Sequence, residues 1–123
     1  MLALDVLIVD DHEPMRAMLR KVLERAGVNS VRDAASGKVA LELLQERSPQ
    51  LILVDQTMPE MDGLALVERV RADASCAGAR IIMLTGRADA AHAEAARKAG
   101  VDAVLVKPVA PSELLAAIER VMR

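Results

Sequence analysis

The 123-residue chain contains no Phe, Tyr or Trp. Without rings there is no platform on which bases can stack, which argues against single-stranded nucleic acid as a ligand. The net charge of −2 leaves no basic excess to follow a phosphate backbone, so no direct nucleic acid binding is expected. Cys76 is the sole cysteine and can form no internal disulfide, which fits a reducing, cytoplasmic location. It reads as an unreactive thiol in a loop around Ser75 to Gly78. No apolar run approaches the roughly 20 residues of a membrane span, and the N-terminus lacks a secretory pattern, so no membrane contact is expected.

What is present is enough for one core. The chain is 53% hydrophobic, ample for a buried interior, and the 28% of charged residues suits an ordinary surface. We expect a single domain over residues 1–123, with no internal linker, low-complexity tract or second domain.

Five strand-like runs alternate with five helical stretches. The runs are Val6–Val9, a weaker one over Ser30–Ala34, Leu51–Val54, Ile81–Leu84 and Ala103–Val106. Most are continuously apolar, as strands covered on both faces must be, so the expected fold is an α/β doubly wound parallel sheet with helices on both sides. Met15, Met18, Leu19, Val22, Leu23 and Ala26 recur at helical spacing and stop at Gly27. Val39, Ala40, Leu43 and Leu44 mark a second helix. Asp62 is placed to cap a third carrying Leu64, Val67 and Val70. An alanine-rich fourth helix runs from about Asp89 to Ala99, and Pro111 opens a fifth with Leu114, Leu115, Ile118 and Val121 inward.

The endings of four runs form a chemical set. Asp10 and Asp11 follow the first strand, Asp55 the third, Thr85 the fourth and Lys107 the fifth. In a parallel sheet these ends open on one edge, where ligands of such folds bind. Three carboxylates together disfavour joint ionisation, and a hard divalent cation relieves this by taking oxygens from several of them. Mg²⁺ is the natural choice, because it needs few protein carboxylates and also meets phosphate oxygens. Asp55 can then act as a nucleophile toward a phosphoryl group, with Lys107 neutralising oxygen charge and Thr85 donating a hydrogen bond.

The segment Asp55-Gln56-Thr57-Met58-Pro59-Glu60-Met61-Asp62-Gly63 resembles the acceptor segment of bacterial response-regulator receiver domains, D-x-x-M-P-x-M-D-G. Asp10-Asp11, Thr85 and Lys107-Pro108 match the remaining signature positions of that family, so the likeness runs over essentially the whole chain. It implies a flavodoxin-like five-stranded sheet of order 2-1-3-4-5. It also implies that Asp55 accepts phosphate from a sensor histidine kinase or a histidine phosphotransfer protein. Asp10, Asp11, Asp55 and the Thr57 carbonyl would hold Mg²⁺, Lys107 would contact the phosphoryl group, and Lys107-Pro108 would be cis. The face built from the fourth helix, fifth strand and fifth helix, with Glu94, Arg97, Lys98, Glu119 and Arg120, would meet a kinase, a downstream effector or a second copy.

The chain departs from the family where an aromatic switch residue usually stands, three positions before the lysine, and carries Val104 there. It also has Val109 after the proline. Activation is therefore expected to rely on Thr85 and loop movement, with Val104 repacking. Gln56 and Thr57 are expected to replace nothing essential as side chains. His12 is read as a partly exposed first-helix residue, and His92 as solvent-facing.

Two other classes share parts of this pattern. A metal-dependent aspartyl phosphohydrolase would place an acid two residues after its nucleophile, and here that residue is Thr57. A flavin-binding electron carrier would need a Ser/Thr/Gly-rich loop after the first strand, where this chain has Asp10, Asp11 and Glu13.

Overall fold

Every strand of the sheet runs in the same direction, in the order β2-β1-β3-β4-β5. A computed structural model describes residues 4–87 and 89–123. The strands are β1 (Asp5–Val9), β2 (Ser30–Ala34), β3 (Leu51–Asp55), β4 (Arg80–Thr85) and β5 (Ala103–Val106). The helices that separate and follow them are α1 (Glu13–Arg25), α2 (Gly37–Glu46), α3 (Gly63–Ala72), α4 (Ala90–Ala99) and α5 (Pro111–Val121).

The apolar runs divide their side chains between two cores, because successive strand residues point to opposite faces. Leu7, Val9, Ile52, Val54, Ile81 and Met83 pack with Ala40 and Leu44 of α2, Leu66, Val67 and Val70 of α3, and Ala96 of α4. Val6, Ile8, Leu51, Leu53, Ile82 and Leu84 pack on the other face with Leu19 and Leu23 of α1 and Leu114, Ala117 and Ile118 of α5. The register pairs Val9 with Val54, Asp55 with Leu84 and Thr85 with Val106, so β1, β3, β4 and β5 end side by side.

One expectation needs correction here. β5 reads as one of the apolar runs covered on both faces, yet its residues are only partly covered and Val106 is exposed, at the edge where the implied strand order puts it. Four apolar residues look alike in sequence whether a strand has one neighbour or two. Val39, one of the residues that mark α2, lies on its exposed side.

Local chemistry fixes the helix ends. The Asp62 side chain accepts from Ala65 N–H at 2.9 Å and the Asp89 side chain from His92 N–H at 2.7 Å, capping α3 and α4. Asp89 is thus the cap of α4 rather than its first residue. Gly100, in the left-handed conformation at φ 112°, ends α4. Its carbonyl accepts from the Arg71 guanidinium at 2.7 and 3.0 Å, which ties α3 to the turn before β5.

Gly63 positions the end of β3. Its N–H donates to Gln56 O at 2.7 Å, and a Cβ there would lie 2.6 Å from the Asp55 carbonyl oxygen and 2.9 Å from Gln56 Cα. Both neighbours are backbone and cannot swing aside. Gly63→Ala should therefore lower stability by about 2–3 kcal/mol in denaturant unfolding. Gly78→Ala, which meets nothing within 4 Å, should stay within about 0.5 kcal/mol of wild type. Equal values for the two variants would contradict the close approach of α3 to Asp55.

Candidate functional site

Among the described residues, the buried polar side chains are Asp10, Asp55, Thr85 and His92, and all four stand at the carboxyl edge of the sheet or just beyond it. Asp55 closes β3 and Thr85 closes β4, while Asp10 follows β1 directly. Asp10 N–H donates to Ala34 O at 3.1 Å, which carries the sheet pairing one residue past β1. The Asp10 carboxylate turns back to accept from His12 N–H at 2.9 Å through Oδ1, and its carbonyl accepts from Arg16 at 2.7 Å. Its second oxygen, Oδ2, is buried and has no hydrogen-bond partner.

Asp10, Asp11 and Asp55 each bring a carboxylate oxygen within 4.8 Å of the other two. Asp11 is exposed and forms the mouth of the cleft, while Asp10 and Asp55 form its floor. Lys107 reaches in from the end of β5, and its Nζ donates to Asp55 Oδ1 at 2.8 Å. The Lys107 N–H also donates to Thr85 O at 2.7 Å, and the Lys107–Pro108 bond is cis, as the family resemblance implies. Thr57 lies exposed in the loop between β3 and α3. That loop turns sharply at Glu60, whose φ of 69° is unusual for a residue with a side chain, and Met61 N–H closes on Pro59 O at 2.8 Å.

Burial pushes the Asp10 carboxyl above the ordinary carboxylate range. The hydrogen bond from His12 N–H opposes this, the charge of Asp55 adds to it, Lys107 opposes it, and Asp11 adds further. A raised folded-state value means the fold is relatively favoured while this carboxyl is protonated. That advantage is fully present at acid pH and is lost as pH rises through the raised value.

The residues fit a small, oxygen-seeking divalent cation. The donor set is all carboxylate, three negative groups face one ammonium, and Asp10 Oδ2 is a buried oxygen in want of a positive partner.

The two histidines depart from expectation in opposite ways. His12 is exposed and sits at the N-cap of α1, before the helix, and its ring belongs to no acidic cluster among the described residues. His92 is not solvent-facing but buried, with Nε2 3.4 Å from Thr85 Oγ1 and Nδ1 3.3 Å from Gln56 Nε2. Gln56 in turn accepts the Thr85 hydroxyl through Oε1 at 2.8 Å, so its side chain is part of the site's wiring. His92 lies four residues before buried Ala96, on the same face of α4, but the alanine-rich sequence does not mark that face as inward. Cys76 is in the expected turn but buried, and burial raises its thiol above the usual range, which fits an unreactive role.

A five-stranded parallel α/β sheet whose edge gathers two acids after β1, one after β3, a hydroxyl after β4 and a lysine after β5 defines a phosphoacceptor signalling domain. The response regulator receiver domain family matches residues 6–119, and the chain belongs to it. It is 38% identical over 118 residues to the chemotaxis protein CheY1 of Helicobacter pylori, covering 95% of each chain. It is also 38% identical to the CheY homolog of Campylobacter jejuni, over 95% of this chain and 91% of that one. Its structure resembles that of Vibrio cholerae chemotaxis protein CheY4, with a TM-score of 0.90 and 34% identity over 96% of this chain and 98% of that one. A response regulator of Chloroflexus aurantiacus gives a TM-score of 0.91 and 35% identity over 97% of both.

Asp10→Asn removes one buried negative charge and one candidate cation ligand together. In metal-free buffer at neutral pH the variant should be more stable than wild type by about 1–2 kcal/mol. Adding magnesium chloride should raise the wild-type melting temperature and shift the variant's much less. Thermal denaturation with and without chelator reads both effects, and a variant less stable in metal-free buffer would contradict the repulsion.

Proposed function

We propose that Asp55 is the residue that takes the phosphoryl group, supplied by a sensor histidine kinase or a histidine phosphotransfer protein. Asp10, Asp11, Asp55 and the Thr57 carbonyl are the groups that would hold Mg²⁺. When bound, the ion neutralises charge on the carboxylates and on the phosphoryl oxygens. The observation that carries this reading is the buried Asp55 carboxylate, held by Lys107 at 2.8 Å within a cluster of two further acids.

The chain's own residues supply position and charge. Asp55 is fixed in direction by the last residue pair of the β3–β4 ladder, where Gln56 N–H donates to Leu84 O at 3.0 Å. One of its carboxylate oxygens forms a new bond to phosphorus, the phosphorus–nitrogen bond of the donor imidazole breaks, and that nitrogen keeps the electron pair. Lys107 starts on the carboxylate and becomes the partner of a phosphoryl oxygen, so the ammonium never loses its anion. Thr85 is the hydroxyl that answers the added charge of about −1.5 to −2.

The protein in this reading is a switch and assists only its own phosphorylation and dephosphorylation. Its partners are the phosphodonor and a downstream effector protein, with a second copy as a further candidate, and its place is the cytoplasm. Residues 1–123 form one receiver domain. The phosphohydrolase alternative gains nothing, since Thr57 offers a hydroxyl where a general acid is needed.

Incubated with Mg²⁺ and acetyl phosphate, the wild type should gain one base-labile phosphoryl group located at Asp55 by mass. Asp55→Ala should gain none. Phosphate elsewhere in the wild type would refute the assignment.

A further inference from the structure

The family's aromatic position holds Val104, yet the neighbourhood of Thr85 is far from bare. Thr85 has a single hydroxyl hydrogen, and it is given to Gln56 Oε1 at 2.8 Å, an ordinary distance for an O–H···O bond. This orients the Gln56 amide so that its NH₂ meets His92 Nδ1 at 3.3 Å. Nδ1 must then accept, which puts the ring hydrogen on Nε2, 3.4 Å from Thr85 Oγ1. The three side chains close a ring in which each donates to the next. Arg87 N–H adds a fourth contact by donating to Thr85 Oγ1 at 3.0 Å.

We propose that Gln56 and His92 are positioning residues that latch Thr85 away from Asp55 and transmit its release to α4. The latch deepens the reading of Asp55 as acceptor and rests on it. Two features make α4 responsive. Its buried residues are His92 and Ala96 alone, so the imidazole is the largest group holding the helix to the sheet. His92 is also rigidly mounted in the first turn of the helix, with its N–H donating to the Asp89 cap. When Thr85 turns toward a phosphoryl oxygen, Gln56 Oε1 loses its donor and His92 Nε2–H its acceptor. A buried imidazole stripped of a partner is costly, so the first turn of α4 moves to satisfy it. A polar ring thereby does what a rotating aromatic side chain cannot do in this chain.

The test uses the full chain with Mg²⁺ and acetyl phosphate, comparing wild type, His92→Leu, Gln56→Ala and the double variant. Breaking the ring favours the released position of Thr85, so each single variant should be phosphorylated about fivefold faster, the weight of one neutral hydrogen bond. The double variant should be no faster than either single, because all three side chains belong to one ring. Amide exchange should rise in the first turns of α4 when beryllofluoride is added to wild type, and should not change in His92→Leu. Unaltered rates, multiplying effects or an undiminished α4 response would each overturn the latch. Should His92→Leu fail to fold, the ¹⁵N resonances of the wild-type His92 ring decide: beryllofluoride should shift them, and unshifted signals overturn the proposal. Phosphate found away from Asp55 defeats the acceptor assignment, whereas phosphate on Asp55 with an unmoved His92 defeats the latch alone.

Discussion

Three carboxylates kept within 4.8 Å of one another, two of them out of reach of bulk water, are the constraint on which the rest of the site depends. Left to themselves they would separate or take up protons. They do neither freely, because their backbone belongs to a sheet whose register is enforced by two apolar cores, one on each face. Slipping β1 or β3 by a residue would move every buried aliphatic side chain to the wrong face. The packing of Leu, Ile and Val thus holds the acids in a place that electrostatics alone would reject. The unmet demand for positive charge is met in part by Lys107, and in the proposed reading it also recruits a cation.

Geometry at the other strand ends follows from the same frame. Thr85 and Lys107 are joined by Lys107 N–H to Thr85 O at 2.7 Å, so the hydroxyl and the ammonium stand on a common strip of backbone. Gly63 lets α3 begin against the Asp55 and Gln56 backbone, where any side chain would collide. The end of β3 is thereby held from the sheet side by β1 and β4 and by the start of α3. By contrast α4 buries only His92 and Ala96, so it is held less firmly than the other helices of the sheet.

Much of this was legible in the sequence. The strand endings announced themselves because Asp10, Asp11, Asp55, Thr85 and Lys107 each interrupt or end an apolar run with a group that has no business in a core. Asp62 was readable as a cap from its position before an apolar helix. The strand order came from the family resemblance, since alternating β and α elements do not by themselves say which strand is central. The partial exposure of β5 was invisible in its residues alone, because Ala103–Val106 carries the same residues a central strand would. His92 was hidden by its surroundings: a helix of alanines has no strong apolar stripe, so nothing marks which side faces the sheet. Gln56 looked generic because its importance lies in a hydroxyl 29 residues away.

The central claim is that this acidic cluster is a cation-dependent acceptor held in place by the sheet. A high-resolution crystal structure grown with Mg²⁺ and without phosphodonor tests it most directly. The account predicts an ion bound by oxygens of Asp10, Asp11 and Asp55, with Asp10 Oδ2 no longer lacking a partner and Lys107 still on Asp55. Carboxylates splayed into solvent, with no ion between them at millimolar Mg²⁺, would contradict it.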